Sequence, residues 1–524
     1  MLNTILLIFC AVTFILATTM NVIDSMHFFQ LNSYRFDTHT KWIGENAKRY
    51  VKHIFFTLLL CAAILPQMSI IAKLIICEVV FLMAIPAERP KKAKKPLVYT
   101  PRVKRMLTTE AIVILLATVP LSVWALGANR ESFVLAAFAG IYFISPVLCL
   151  VANLINKPME LGINQHYTND AKRMLRKCPD LKIIGITGSY GKTSVKYYLT
   201  TLLKGKYDVL MTPESYNTPM GVVKTIRGSL KATHEIFVCE MGAKWVGDIK
   251  ELCDIVHPHH GVITSIGPQH LESFKTLDAV KGTKFELADS LPEDGMLFLN
   301  GDDENIKAHG SKRPFISYSI GGEADYVAYD LSVSERGTTF SVRTKDGETE
   351  EFSTKLIGRH NVLNITGAIA ISHKMGMTLK EIRPQVRKLE GVPHRLQLSD
   401  KGNMTIIDDA YNSNPSGTKA ALEALDLFNG YKILVTPGMV ELGEKQDELN
   451  REFGRNAASV CDYVVLVGQK QAVPIKAGLL DEKYDESRIF VANNINEALN
   501  HVYALNSQGK KKVVLLENDL PDNY

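Results

Sequence analysis

The chain has 524 residues, of which 46% are hydrophobic and 22% are charged, and its formal net charge is +5 at pH 7. This length favours two or three domains over a single core. So modest a charge, much of it in two loops, excludes a nucleic-acid-binding surface. The eight cysteines form no CxxC pair, which argues against a disulfide framework or a zinc site and favours reduced, buried thiols.

Five long apolar segments occupy the first 158 residues, at about 4–20, 53–65, 69–87, 108–126 and 132–155. Most approach the roughly 20 residues that a membrane-spanning helix needs. The first lacks the basic start and the cleavage site of a signal peptide, so we interpret it as an anchor. The second and third are joined through Pro66 and Gln67 and form either two spans or a re-entrant hairpin. The pattern predicts a membrane domain of about five transmembrane helices at residues 1–158.

Basic residues predict the orientation of this domain. Lys and Arg cluster in residues 35–52 and 89–105, whereas 127–131 is nearly neutral. By the positive-inside rule, both basic loops and everything after Asn156 face the cytoplasm. Contact of the basic loops with anionic membrane lipid is a secondary expectation. We therefore expect a multi-pass protein of the cell membrane with cytoplasmic catalytic domains.

From Lys172 onward, short β-rich runs alternate with amphipathic helical segments, as in an α/β protein. This alternation predicts a central domain at 159–391 with a mostly parallel sheet and a Rossmann-like C-terminal domain at 392–524. Period-two runs at 326–333 and 338–344 predict an antiparallel hairpin. The predicted parallel strands are 182–187, 236–240, 261–265 and 296–300 in the first domain, and 404–408, 431–436, 462–467, 488–491 and 511–516 in the second.

A glycine-rich turn connects the first predicted strand to a helix that extends to Leu203. Backbone N–H groups in such a turn, with the start of the following helix, surround phosphate oxygens. Lys192 is expected to neutralise the terminal phosphates of ATP, and the Thr193 hydroxyl to bind Mg²⁺. Ile186 stands where the general P-loop pattern has its first glycine. The predicted ATP-binding residues of the turn are Thr187, Gly188, Ser189, Tyr190, Gly191, Lys192, Thr193 and Ser194.

The T-G-S-x-G-K-T form of this turn resembles the Mur ligases of bacterial peptidoglycan synthesis, and above all the members that add D-alanyl-D-alanine. Further segments are similar to that family and occur in its order. The resemblance implies an ATP-dependent amide ligase of the bacterial cell envelope. The matching segments are TPESYNTPMGV (212–222), EMGAKWVGDI (240–249), VITSIGPQHLESF (262–274), GTKFEL (282–287), GRHNVLN (358–364), GVPHRLQ (391–397), DDAYNSNPSG (408–417) and GMVELGE (438–444).

The resemblance also implies a metal site. Glu240 and His270, each close to the end of a predicted strand, would hold Mg²⁺ together with Thr193 and the phosphates of ATP. Lys284 stands where these ligases carry a carbamylated lysine, and the carbamate would bind a second Mg²⁺. Lys192, Lys284 and His270 are therefore the expected catalytic residues.

The rest of the nucleotide site is implied in the same way. Asn361 and Asn364 resemble the asparagines beside the adenine, Arg395 resembles an arginine that contacts phosphate, and Asp409 resembles the acidic residue near the ribose. In the implied reaction a carboxylate attacks the γ-phosphate of ATP to give an acyl phosphate, which the amine of an amino acid or dipeptide then attacks. Such a reaction depends on positioning and charge neutralisation and needs no nucleophilic Ser or Cys.

Two features depart from the family. Membrane segments stand where its UDP-sugar-binding domain is expected, and LLENDLPDNY (515–524) replaces its Lys-Gly-Ser motif. We therefore expect a membrane-associated carboxylate substrate, either a lipid-linked cell-wall precursor or a growing envelope polymer. A polyglutamate capsule synthetase is the main alternative. An ATP-driven transporter is a weaker one, because Lys73, Glu78 and Glu110 are the only charged residues inside the predicted spans and none has a clear partner.

Overall fold

A computed structural model describes residues 2–64, 67–89, 96–128, 130–410, 414–440 and 442–518. The chain forms two compact units, one extending to Gln165 and one beginning at His166. Parts of several predicted features lie outside the described residues. They are Pro66, positions 90–95 of the second basic loop, Asn129, positions 411–413 and 441 of two family motifs, and the last six residues of the segment 515–524.

The first unit is helical throughout its described residues, apart from turns and short connections. Phe14 stacks on Phe138 with ring centroids 4.4 Å apart, and Phe81 meets Phe14 edge-on. The buried carboxylate of Glu88 lies 3.0 Å from a ring nitrogen of His53, so this polar pair is satisfied within the core. The helices are α1 (Leu2–Leu31), α2 (Phe36–Glu45), α3 (Val51–Ile64), α4 (Ile70–Ala87), α5 (Pro101–Gly127), α6 (Glu131–Ile144) and α7 (Leu148–Arg176), the last of which continues into the second unit.

Four helical stretches among the described residues are long and apolar enough to cross a membrane, judged by length and composition only. They are Asn3–Leu31, Ile70–Ala87, Pro101–Gly127 and Glu131–Arg176. The second predicted span corresponds to α3, whose 14 residues are fewer than the roughly 20 that a spanning helix needs.

The second unit contains two sheets. The first has the order β2-β3-β1-β4-β5-β6-β7-β8-β9, parallel from β2 to β7 and antiparallel from β7 to β9. Its strands are β1 (Lys182–Thr187), β2 (Val209–Met211), β3 (Ile236–Glu240), β4 (His260–Ile263), β5 (Leu297–Asn300), β6 (Ile316–Ile320), β7 (Tyr326–Ser334), β8 (Gly337–Thr344) and β9 (Thr349–Thr354).

Helices cover both faces of this sheet because successive residues of β1 point to opposite sides. Ile184 and Ile186 enter one hydrophobic core and Ile183 enters the other. A strand buried on both faces reads as a continuous apolar run, as KIIGIT does. The helices of this region are α8 (Lys192–Leu203), α9 (Pro219–Ser229), α10 (Asp248–Val256), α11 (Leu271–Phe274), α12 (Leu277–Asp289), α13 (Glu304–His309), α14 (Arg359–Lys374) and α15 (Leu379–Val386).

The second sheet has the order β10-β11-β15-β12-β13-β14 and is parallel except for β10 at its edge. Its strands are β10 (Gln397–Asp400), β11 (Met404–Asp409), β12 (Tyr431–Thr436), β13 (Tyr463–Val467), β14 (Ile489–Ala492) and β15 (Lys512–Glu517). The helices are α16 (Pro415–Asp426), α17 (Gln446–Ala458), α18 (Ala472–Asp481) and α19 (Ile495–Ala504).

The predicted fold class, apolar helices followed by two α/β domains with mostly parallel sheets, is confirmed. The structure adds strands that the sequence did not predict: β2, β6, β9 and β10. These strands have three to six residues, and TEEFST and QLSD lack the apolar runs that signal a strand. Their pairing with a neighbour, rather than their own composition, makes them strands.

Candidate active site

The glycine-rich turn lies between β1 and α8, at the carboxyl edge of the first sheet. Gly188 and Gly191 have φ angles of +150° and +81°. Both values lie in the region that favours glycine. A Cβ on Gly188 would overlap the hydroxyl of Thr264. The turn therefore requires glycine for backbone conformation at both positions and for close approach at the first.

The loop after β4 holds this turn in place. The backbone N–H of Ser189 donates to the carbonyl of Ser265 at 2.7 Å, and the N–H of Tyr190 donates to the Ser265 hydroxyl at 2.8 Å. The Ser189 hydroxyl donates to the carbonyl of Gly267 at 3.1 Å, and the Tyr190 hydroxyl to that of Pro268 at 3.0 Å. These bonds fix the conformation of the turn, as a preorganised site requires. They also engage the backbone N–H groups of Ser189 and Tyr190.

Lys192, the first residue of α8, curls back over the turn. Its ammonium donates to the carbonyls of Gly188 at 2.6 Å and Ser189 at 3.1 Å. Burial lowers the pKa of Lys192 to about 8, and the carboxylate of Glu240 partly opposes that shift. The charge therefore lies directly over the loop that is expected to hold the phosphates.

A second cluster surrounds Glu240, the last residue of β3. Its Oε1 accepts hydrogen bonds from the Thr193 hydroxyl and the Asn217 amide, both at 3.1 Å. Its Oε2 lies 3.0 Å from the ammonium of Lys196. Burial alone would raise the pKa of Glu240, but the charges of Lys196 and Lys192 outweigh it and hold the pKa below the ordinary value. The carboxylate is therefore ionised and fixed in orientation.

Two of the expected metal ligands, Thr193 and Glu240, are in contact with each other. Thr193 and Glu240 present a hydroxyl and a carboxylate oxygen, which are hard donors that suit Mg²⁺. His270 precedes α11 with a φ of +51°, and its carbonyl accepts the backbone N–H groups of Ser273 and Phe274 in the first turn of that helix. Among the described residues, no three His, Cys, Asp or Glu side chains form a ready metal cluster. The residues fit a metal that phosphate oxygens help to bind.

Lys284 lies on α12 with 1% of its surface exposed. Burial, and next the positive charge of Lys192, hold its pKa well below the ordinary value. Burial therefore favours the neutral amine over the ammonium at this position. A neutral amine in this position is nucleophilic, which an ammonium is not.

A cavity of about 460 Å³ opens beside the turn, within the range of small-ligand sites. It brings together predicted residues that lie far apart in the sequence. They are Tyr190, Gly191, Ser194, Asn361, Asn364, Arg395 and Asp409. Asn414 and Ser416 at the start of α16 also line it. The cavity is therefore formed by both sheets' loops within the second unit.

The side chains of this cavity differ in how firmly they are held. Asn361 accepts a hydrogen bond from the Tyr198 hydroxyl at 2.7 Å and donates to the carbonyl of Ile357 at 2.8 Å. The Arg395 guanidinium donates to the Thr193 hydroxyl at 3.4 Å. Burial raises the pKa of Asp409 to about 6, although the Leu396 N–H and the charge of Arg395 both oppose the rise.

Sequence reasoning missed three residues of this region. Lys196 and Asn217 hold Glu240, and Asp303 accepts the backbone N–H of Ile266 at 2.8 Å. The only available signal for Lys196 was its spacing of four residues from Lys192, which places both on one face of a helix. Asn217 lies inside the quoted segment 212–222, but nothing in that segment indicated its partner.

Comparison with known proteins gives a consistent result. Family models of the Mur ligase middle domain and the Mur ligase glutamate ligase domain match residues 186–372 and 394–517. The UDP-N-acetylmuramoyl-tripeptide–D-alanyl-D-alanine ligase of Escherichia coli is 28% identical over 382 residues, which are 70% of this chain and 84% of that protein. The Bacillus subtilis ligase of the same name is 33% identical over 277 residues, 52% of this chain and 59% of that protein.

The crystal structure of MurF ligase from Thermotoga maritima in complex with ADP is similar with a TM-score of 0.61 and 27% identity. The match covers 69% of this chain and 81% of that chain. The resemblance inferred from the motifs is therefore confirmed. These comparisons favour a ligase over the transporter alternative.

The expected location, a multi-pass protein of the bacterial cell membrane, is wrong by this comparison. The homologous ligases are soluble cytoplasmic enzymes, and the apolar helices qualify as spans by length and composition alone. The reasoning failed because a helix that is apolar all round is equally consistent with burial inside a large protein. Apolar length does not distinguish the two environments.

Proposed function

Because this chain belongs to the Mur ligase family, we propose that it adds D-alanyl-D-alanine to the carboxylate of a peptidoglycan precursor. Mur ligases are ATP-dependent enzymes that form peptide bonds. The observation that carries the proposal is the cavity of about 460 Å³ in which Tyr190 and Gly191 of the glycine-rich turn meet Arg395 and Asp409. Lys192 and the Thr193–Glu240 contact follow directly on that turn.

The reaction has two steps. A carboxylate oxygen of the acid substrate attacks the γ-phosphorus of ATP, the bond to the β,γ-bridging oxygen breaks, and ADP leaves. The amine then attacks the acyl phosphate carbonyl, loses a proton and expels inorganic phosphate. Lys192 neutralises charge on the transferring phosphoryl group, and the N-terminus of α8 helps to orient it.

Mg²⁺, when bound, supplies further charge neutralisation at the phosphates. Thr193 and Glu240 would hold it, and their contact at 3.1 Å supports this assignment. We propose His270 as a further ligand on the family resemblance. At Lys284 the neutral amine adds to the carbon of CO₂ and releases one proton, giving an anionic carbamate. Its low pKa supports this carbamylation, because only the unprotonated amine reacts.

The nucleotide roles rest on the cavity. We propose that Asn361 and Asn364 bind adenine, that Arg395 binds phosphate and that Asp409 binds the ribose. Their joint position in one cavity with the glycine-rich turn supports these roles. The domain limits at 1–158, 159–391 and 392–524 also stay a proposal, supported by family matches at 186–372 and 394–517.

A lipid-linked or polymeric acid substrate is a second candidate, and a specific observation favours it. Every described element before β1 is a helix. Residues 2–176, where described, therefore contain no sheet of the kind that forms a nucleotide-sugar site in α/β domains. A UDP-linked precursor would then have to be recognised elsewhere in the molecule.

The ligase proposal is tested by the substrate dependence of ADP release from the purified full-length protein. We expect release only when a muramyl tripeptide acid and D-alanyl-D-alanine are both present. Lys192→Ala should abolish it, whereas Lys204→Met, an exposed lysine just after α8, should retain it. ADP release that ignores both substrates would contradict a ligase.

The acid substrate is identified by comparing turnover of UDP-muramyl tripeptide, lipid-linked muramyl tripeptide and a glutamate polymer. Efficient use of the UDP-linked acid supports the first proposal and rejects the second. Preference for the lipid-linked acid supports the second. Exclusive use of the glutamate polymer would reject a peptidoglycan precursor and favour a capsule synthetase.

A further inference from the structure

Lys196 is a buried cation beside the phosphate-binding turn to which the proposed reaction assigns no role. It lies one helical turn after Lys192 on α8, and its side chain is 0% exposed. Its ammonium is 3.0 Å from Oε2 of Glu240, which is itself buried. A buried ion pair is poor evidence for stabilisation, because desolvation offsets most of the attraction. The pair therefore calls for a functional explanation.

The two oxygens of the Glu240 carboxylate have different partners. Oε1 accepts the Thr193 hydroxyl and the Asn217 amide. Oε2 faces the ammonium of Lys196. A cation therefore already lies beside the carboxylate that is proposed to bind Mg²⁺. That cation belongs to the protein.

Lys196 is also fixed from a second direction. Its ammonium donates to the backbone carbonyl of Glu214, a residue with a φ of +40°. Asn217 in the same segment donates its side-chain amide to Oε1 of Glu240. The backbone carbonyl of Asn217 also accepts the N–H of Gly242 at 2.8 Å. The ammonium is therefore held between the Glu240 carboxylate and the segment 214–217.

The balance of charge around this carboxylate is positive. The charges of Lys196 and Lys192 both lower the pKa of Glu240, and Arg395 donates to Thr193, which donates to Glu240. Burial lowers the pKa of both lysines, that of Lys192 to about 8, and the Glu240 carboxylate opposes the shift in each. Unit charges a few ångströms apart interact strongly at the effective dielectric of a protein. A free divalent cation is repelled from such a site, whereas a polyphosphate is attracted to it.

We propose that Lys196 is a positioning residue whose ammonium neutralises the Glu240 carboxylate from the Oε2 side. Mg²⁺ then binds at Glu240 only together with the polyphosphate of the nucleotide. The inference rests on the proposed function, since it takes Glu240 as a metal ligand. It assigns Lys196 a charge-balancing task rather than a part in bond making.

The proposal predicts opposite changes in two affinities when the charge is removed. In Lys196→Met, the nucleotide-free protein should bind Mn²⁺ at least tenfold more tightly, as measured by electron paramagnetic resonance at pH 8. The same variant should bind ADP without metal at least fivefold more weakly in calorimetry. Lys196→Arg should keep both affinities within about threefold of the wild type, because it keeps the positive charge beside Glu240. Lys204→Met should change neither.

Opposite shifts cannot arise from general damage, which would weaken both affinities. If both weaken, or neither changes, the proposed role is wrong. Lys196→Gln, which keeps hydrogen-bond donors but removes the charge, gives the same two readouts if the methionine variant does not fold. Failure of the wild-type protein to bind Mn²⁺ even with ADP would instead reject the metal site, and with it the proposed function.

Discussion

Lys196 and Lys284 lie in the same α/β unit and are buried almost completely, yet their surroundings differ in sign. Lys196 has the Glu240 carboxylate at 3.0 Å. Lys284 has the charge of Lys192 as the largest electrostatic influence on it, and its pKa falls far below the ordinary value through burial and that repulsion. Burial lowers the pKa of both lysines, but the Glu240 carboxylate opposes that shift at Lys196, whereas the charge of Lys192 adds to it at Lys284.

This difference shows how burial can prepare a lysine for different tasks. A buried ammonium that has a carboxylate partner keeps its proton and holds that partner in place. A buried amine that faces another cation loses its proton and becomes reactive. The two sites should therefore respond in opposite ways to neutral substitutions of similar size.

The largest effect is expected at the charged pair. Glu240→Gln should lower the free energy of unfolding by about 3–5 kcal/mol, because it leaves the Lys196 ammonium buried without its counter-charge. The measurement is the urea denaturation profile of the full-length protein. Glu240→Gln combined with Lys196→Met should recover most of that loss. Asp254→Asn is the matched control, because it breaks an exposed ion pair with Lys250 and should cost under about 1 kcal/mol. Equal losses in Glu240→Gln and Asp254→Asn would contradict the comparison.

At Lys284 we expect the opposite effect on stability, because no counter-charge is lost. Lys284→Met should leave the urea midpoint unchanged or higher, since a buried amine is replaced by an apolar side chain of similar length. Activity should still fall by about 100-fold, through loss of the carbamate. The measurements are urea denaturation and steady-state ADP release. Lys281→Met, three residues earlier on α12, should affect neither.

Bicarbonate sharpens the same prediction. Wild-type ADP release should rise when bicarbonate is restored to a protein stripped of CO₂, and carbon-13 NMR should show a carbamate signal that Lys284→Met lacks. Turnover that is independent of bicarbonate, with no such signal, would show that Lys284 acts as an amine and not as a carbamate.

The smallest effect concerns Asp409, whose pKa is raised to about 6 by burial. Its carboxyl is mostly ionised at pH 7.5 and about half protonated at pH 6. An ionised carboxylate accepts hydrogen bonds from ribose hydroxyls better than its protonated form does. We therefore expect the KM for ATP to rise about threefold from pH 7.5 to pH 5.5. Asp409→Asn should remove this pH dependence, and a wild-type KM that does not change would contradict the role.

The same raised pKa predicts the direction of its effect on stability. The folded state takes up the Asp409 proton at higher pH than the unfolded chain, whose carboxyl has the ordinary value of 3.8. This group therefore destabilises the fold above pH 6, and the penalty disappears as pH falls towards 3.8. Subtraction of the Asp409→Asn profile from the wild-type profile in urea isolates this contribution.

Much of the α/β unit was predictable because its signals are local. KIIGIT, IFVCE and YKILVT are short apolar runs, and they form β1, β3 and β12 with the predicted bounds. The turn glycines, too, follow from steric requirements that act within a few residues. The short strands β9 and β10 lack such signals and exist because a neighbour pairs with them.

The sequence by itself determined the glycine-rich turn, the α/β alternation and the order of the family motifs, since these depend on residue type and spacing along the chain. Only the tertiary structure decided that Lys196 and Asn217 hold Glu240, that burial lowers the pKa of Lys284, and that Asn361, Arg395 and Asp409 share one cavity. Hydrogen bonds, charge and burial depend on distances between residues far apart in sequence. For the same reason, apolar helix length did not settle the environment of residues 1–158, because it measures composition and not what surrounds the helix.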